Sequence, residues 1–134
     1  GNYCKNKDIT KFIPMVIDFL NPTADSGWLL QKQMNIFSRI KSDFFLALAL
    51  AHHLTVPAQN SLEDFLIMIK RIAKGGIIEW VDAEENMVAT GLNMFPNPNY
   101  NWEAFHALLL KYFKIVDIKI LHNGQRKLCL LDGF

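Results

Sequence analysis

A few positions in this chain carry side chains that could do chemistry where their surroundings place them. His52 and His53 follow directly on an eight-residue apolar run, Phe44 to Ala51. Imidazole has the ordinary pKa closest to neutrality, so either ring suits a general base. The competing reading is structural, with one ring capping a turn and the other packing under a loop. Asp18, followed by Phe19, closes an apolar segment from Phe12. Its carboxylate could accept hydrogen bonds from a ligand amine or simply end a strand. Glu79 lies between Ile78 and Trp80 among residues that read as buried. A carboxylate there must be paired, hydrogen-bonded or protonated, which makes it either an ion-pair partner or a site residue with a raised pKa. Trp28, between Gly27 and a helical pattern, is open to a ligand-facing role or a place in the core.

The elements that must position these groups are legible from periodicity. Phe12 to Phe19 reads as a short strand with Pro14 near its start or on an edge. Asn21 to Gly27 has turn chemistry, and Leu30, Met34, Phe37 and Ile40 form one helical face. Asp43 to Leu50 (DFFLALAL) is apolar beyond its first residue, which suits a parallel strand covered on both faces. Ser61 with Asp64 three residues on marks a helix start. Leu62, Phe65, Leu66, Ile69, Ile72 and Ala73 give its stripe, and Gly75 is read as its stop. Gly76 to Val81 is a second buried strand, and Ala83 to Leu92 a short helix. Asn101 caps a helix carrying Trp102, Phe105, Leu108, Leu109, Tyr112 and Phe113. Lys114 to Leu121 and Arg126 to Leu131, joined through Asn123-Gly124, read as an antiparallel hairpin. Alternation of this kind predicts an α/β sheet with helices on both faces.

The chain has 134 residues, 51% of them hydrophobic, with 14 Lys+Arg against 13 Asp+Glu. That composition fits a single folded domain and excludes disorder. Its cations form no runs, which argues against a nucleic-acid partner. No apolar stretch approaches the ~20 residues of a membrane helix, and no signal peptide is read. Cys4 and Cys129 have no partner at metal-ligand spacing, so a reduced, cytoplasmic protein without a structural metal is expected. The seven glycines form no GxGxxG and no GxxxxGK[ST], and GxSxG, HExxH and Asn-x-Ser/Thr are absent. What remains is position, since open α/β sheets bind ligands beyond the carboxyl ends of their strands.

Taken in order, Asn21-Pro22, Gly27-Trp28, Arg39, Asp43, Leu46 to Leu54 (LALALAHHL), Ile78-Glu79-Trp80-Val81, Met87, Tyr100, Phe105, Phe113 and Arg126-Lys127-Leu128 resemble class I S-adenosylmethionine-dependent methyltransferases. The likeness is to the branch that includes rhizobial nodulation-type methyltransferases, and it runs from about Phe12 to Leu131. It implies a partial Rossmann-like sheet. Phe12 to Phe19 would be the family's third strand, Asp43 to Leu50 the fourth, Gly76 to Val81 the fifth and the hairpin the sixth and seventh. By the same resemblance Asp18 would receive the adenine amino group with Phe19 beside the ring. Leu50, Ala51 and His52 would lie along the methionine part of the cofactor, and His52, His53 and Glu79 would face the acceptor.

The family's glycine-rich first strand and its second strand have no counterpart in residues 1–134. The resemblance therefore implies the C-terminal part of a methyltransferase domain, with weak or no binding of S-adenosylmethionine by this piece alone. In the family's strand order, 3-2-1-4-5-7-6, the missing strands leave the fourth as an edge, which invites a homo-oligomer or strand swap through Phe44 to Leu50 or Phe12 to Phe19. The expected function is methyl transfer to a small-molecule or carbohydrate acceptor, with His52 as base, Glu79 orienting it or holding the acceptor, and Trp28 and His53 lining the acceptor side. Two other classes stay open. One is an inactive half-domain that serves as an interaction or dimerisation module, the other a small-ligand carrier.

Overall fold

A computed structural model of the protein describes residues 40–56 and 61–133. The expected strand Phe12 to Phe19 and almost all of the expected helix from Trp28 lie outside those residues, as do Asp18, Phe19 and Trp28. The described chain runs β1 (Ser42–Ala47), α1 (Ala51–Thr55), α2 (Leu62–Ile72), β2 (Ala73–Val81), α3 (Asn86–Met94), α4 (Trp102–Tyr112), β3 (Phe113–Leu121) and β4 (Arg126–Gly133). The four strands form one open mixed sheet in the order β1-β2-β4-β3. β1 and β2 are parallel, and the hairpin strand β4 inserts antiparallel between β2 and β3.

Local chemistry accounts for most boundaries. Ser61 accepts the Asp64 amide at the start of α2, and Asn101 accepts the Ala104 amide at the start of α4. Each cap satisfies one of the donors that a helix start leaves unpaired. His122 and Asn123 take φ of 50° and 57° and Gly124 takes 92°, a left-handed turn whose twist suits the flanking strands. Gly75 does not stop α2. The helix ends at Ile72 and passes straight into β2, so Gly75 and Gly76 are strand residues. A Cβ on Gly75 would come within 2.6 Å of the Leu131 carbonyl oxygen, and one on Gly76 would strike the Phe45 carbonyl and ring. These glycines answer a close approach of neighbouring strands.

The sheet's two faces differ sharply. Ala47, Ile78, Cys129 and Ile118 pair in one row across all four strands and join the core with Phe65, Leu66, Ile69, Phe105 and Leu109 of α2 and α4. Trp80 lies on the same face, sandwiched between Tyr100 and Phe105 at 4.5 and 4.7 Å. The adjacent row, Leu46, Ile77 and Leu130, points the other way because side chains alternate along a strand. Leu46 is 63% exposed and Leu130 36%. That face is open at Leu46 and Leu130 but closes toward the carboxyl end of β2, where Val81 is buried in the core. The expectation of helices on both faces is therefore not met at Leu46 and Leu130 among the described residues. The expectation that DFFLALAL is covered on both sides also fails there. β1 stops at Ala47, Leu48 to Leu50 leave the strand, and Phe44, Leu46 and Leu48 are all more than half exposed. β1 is an edge strand with no partner on its outer side among the described residues.

Candidate functional site

The carboxyl ends of β1 and β2 and the start of β4 bring together five of the charged or titratable side chains that could form a site. Past β1 the chain bends at Leu48 and Ala49, and Ala49 takes φ of 49°, a left-handed conformation uncommon for a residue with a Cβ. The bend delivers Leu50 as the cap of α1, its carbonyl accepting the amides of His53 and Leu54. The Ala51 methyl goes into the core, so Ala51 can offer a ligand only its backbone. Leu50 is half-buried.

His52 is buried, and its Nδ1 is enclosed with no hydrogen-bond partner among the described residues. His53 is exposed, with its ring centroid 4.0 Å from that of His52. Burial pushes the His52 imidazole below its ordinary value, and His53 and Arg126 push the same way against Glu85 and Glu79. The neutral ring is thus the resident form near neutral pH. A neutral imidazole has a free lone pair on one nitrogen, which a general base requires.

Glu79 points from β2 to the same face as Val81, where Arg126 sits directly across the ladder. Its Oε1 accepts from Arg126 Nη1 at 3.2 Å. Of the two readings of Glu79, the geometry supplies the ion pair. Arg126 Nη2 also stands 3.9 Å from Glu85. Glu85 in turn caps α3 by accepting the amides of Met87 and Val88. The next residue on β4 serves the opposite face. Lys127 Nζ donates to Asp82 Oδ2 and to the Gly124 carbonyl, both at 3.0 Å, while Trp80 Nε1 donates to Asp82 Oδ1 at 2.7 Å. Tyr100 closes the floor with its hydroxyl on the Val81 carbonyl at 2.6 Å, and burial raises its pKa far above the phenol value.

The structure thus gathers His52, His53 and Glu79, and adds Arg126 and Glu85, which sequence reasoning did not place at the site. Arg126 was findable in principle. A hairpin beginning at Arg126 and pairing with the end of β2 must set that side chain beside Glu79. Asp18, Phe19 and Trp28 lie outside the described residues. Among the described residues no three His, Cys, Asp or Glu side chains converge as a metal ion would require. No described helix is long and apolar enough to cross a membrane. A separate open groove of about 700 Å³ runs between the start of α2 and the Pro96 to Asn99 loop, but its charged pair, Lys111 and Glu63, is already closed at 2.6 Å.

Over 121 residues, 87% of its length, the chain is 31% identical to nodulation protein NoeA of Rhizobium meliloti (strain 1021). It spans 25% of that protein's length. No family model matches the sequence, and no solved structure matches it.

Proposed function

We propose that this chain is the C-terminal part of a Rossmann-like, S-adenosylmethionine-dependent methyltransferase domain of nodulation type, contributing the acceptor-facing wall. The observation that carries the reading is the strand order. Two parallel strands followed by a hairpin whose last strand inserts inward, β1-β2-β4-β3, correspond to the fourth, fifth, seventh and sixth strands that the sequence resemblance implies. The relationship to NoeA over most of the chain supports the nodulation-type assignment.

Ligands of such sheets sit beyond the strand carboxyl ends, where His52, His53 and Glu79 are found. Leu50, Ala51 and His52 fit a wall beside the methionine part of the cofactor, while the adenine contacts fall to Asp18 and Phe19. The cofactor would supply an activated methyl group. This chain's part is to position the acceptor and, if the nucleophile is a hydroxyl or ammonium, to take its proton. His52, held neutral by its burial, takes that proton, and Glu79, fixed by Arg126, orients the acceptor.

The test is equilibrium dialysis of the full-length protein carrying this chain against labelled S-adenosylmethionine. Stoichiometric binding, competed by S-adenosylhomocysteine and weakened about tenfold or more by Asp18→Ala, is the expected result. No binding would contradict the proposal. A second reading, an interaction module without catalysis, is favoured by the exposed Phe44, Leu46 and Leu48 at the sheet edge. It predicts no cofactor binding together with a dimer that Leu46→Lys dissociates.

A further inference from the structure

We propose that α1 is an acid-released latch: protonation of His52 frees this short helix from the carboxyl end of the sheet. α1 has five residues, too few to hold a helix together in water, where so short a segment does not offset the cost of nucleation. It therefore depends on what it buries. Its buried side chains are Ala51, His52 and Thr55, with Leu54 half-buried beside them. The imidazole is the largest of the buried three, so a main fastening of α1 is a group that can change charge near neutral pH.

The surroundings of the ring suit its neutral form alone. Nδ1 is enclosed and meets no hydrogen-bond partner. A neutral imidazole can leave only a lone pair unmet there. In the imidazolium both nitrogens donate, and a buried N–H with nothing to receive it is costly. The neighbouring charges do not repair this. His53 on α1, its ring centroid 4.0 Å away, and Arg126 on β4 both oppose a positive charge, while Glu85 before α3 and Glu79 on β2 favour one. Both carboxylates are engaged elsewhere. Glu79 Oε1 accepts from Arg126 at 3.2 Å, and Glu85 Oε2 accepts the Met87 and Val88 amides at 3.0 and 3.4 Å. α2 also packs against α1, and none of its charged residues acts on His52.

The chain leading into α1 is set to let go. Ala49 holds φ of 49°, a left-handed backbone that is costly for a residue with a Cβ and persists only while its surroundings enforce it. Release lets Ala49 return to an ordinary conformation. Because Leu50 to His53 stand at the strand-end site, release also dismantles that site in acid. The latch does not require methyl transfer, so the two can fail separately.

The test is hydrogen exchange of the chain at about pH 7.5 and about pH 5, on either side of the ordinary imidazole value. The released helix takes up its proton near 6.5, so opening grows as pH falls below that value. The Leu54 and Val56 amides bond to the Leu50 and His52 carbonyls. Their protection, corrected for intrinsic rates, should fall about tenfold, while the Phe105 and Leu109 amides of α4 keep theirs. His52→Phe, which fills the same place without titrating, should abolish the fall, and His53→Ala should retain it. Unchanged protection in α1, an equal loss in α4, or a fall that survives His52→Phe would overturn the latch. If His52→Phe does not fold, the comparison of α1 with α4 in the unaltered chain still decides, and loss of the fall in His53→Ala would assign the switch to the wrong histidine and overturn it.

Discussion

β1 and β2 are neighbours in one sheet, yet their burial runs opposite to their composition. β1 is the more apolar sequence, and its Phe44 and Leu46 face solvent. β2 carries a glutamate, two glycines and a lysine, and most of it is buried. The difference is position. β2 has a strand on each side and helices packed against it, while β1 has one neighbouring strand among the described residues. Apolar content therefore reports which surface a strand has available to bury, and topology decides whether anything arrives to bury it. An edge strand of this kind is where pairing with another chain begins.

The contrast can be broken most forcefully at Trp80. Trp80→Ala removes a ring held between Tyr100 and Phe105 and should cost about 3–5 kcal/mol in urea unfolding. Leu46→Ala on β1 should stay within about 1 kcal/mol. Comparable costs would mean that the outer face of β1 is covered, and the contrast would fail.

The next largest effect is expected at Arg126. Stripping one partner from a fully buried ion pair costs about 3–5 kcal/mol. The Arg126 side chain keeps 29% exposure against 11% for Glu79, so water partly screens what is left, and Arg126→Ala should cost on the order of 1–2 kcal/mol. Restoration of stability in Arg126→Ala/Glu79→Gln would identify the stranded carboxylate as the cause. An unchanged single variant would show that Glu79 is not held by Arg126.

The smallest effect is one of pH. The folded-state pKa of His52 lies below its ordinary 6.5, so the unfolded chain binds the proton more readily. Stability from this residue is present above about pH 6.5. It declines as pH falls through that value and levels off below the folded pKa. His52→Gln should flatten that part of the stability profile. A profile unaltered by the substitution would show that the imidazole is not held neutral.

Much of the fold was legible because it is local. Ser61, Asn101 and Asn123-Gly124 each act on residues within four positions, and each marks the boundary it was read to mark. Features that depend on distant segments were not legible. Gly75 follows a helical stripe and reads as a stop, but its reason for being glycine is the Leu131 carbonyl on another strand. DFFLALAL announces burial without saying which surfaces reach it. His52, His53 and Glu79 could be nominated from their positions at strand ends, whereas Arg126, 47 residues from its partner, needed the hairpin register.

The claim that most needs testing is that the carboxyl end of β1 is a cofactor wall. Hydrogen exchange on the full-length protein carrying this chain, with and without S-adenosylhomocysteine, addresses it directly. The expected result is added protection at the amides of Leu50 to His53 with none at Arg71 to Lys74. Protection confined to other segments, or none anywhere at saturating ligand, would contradict it.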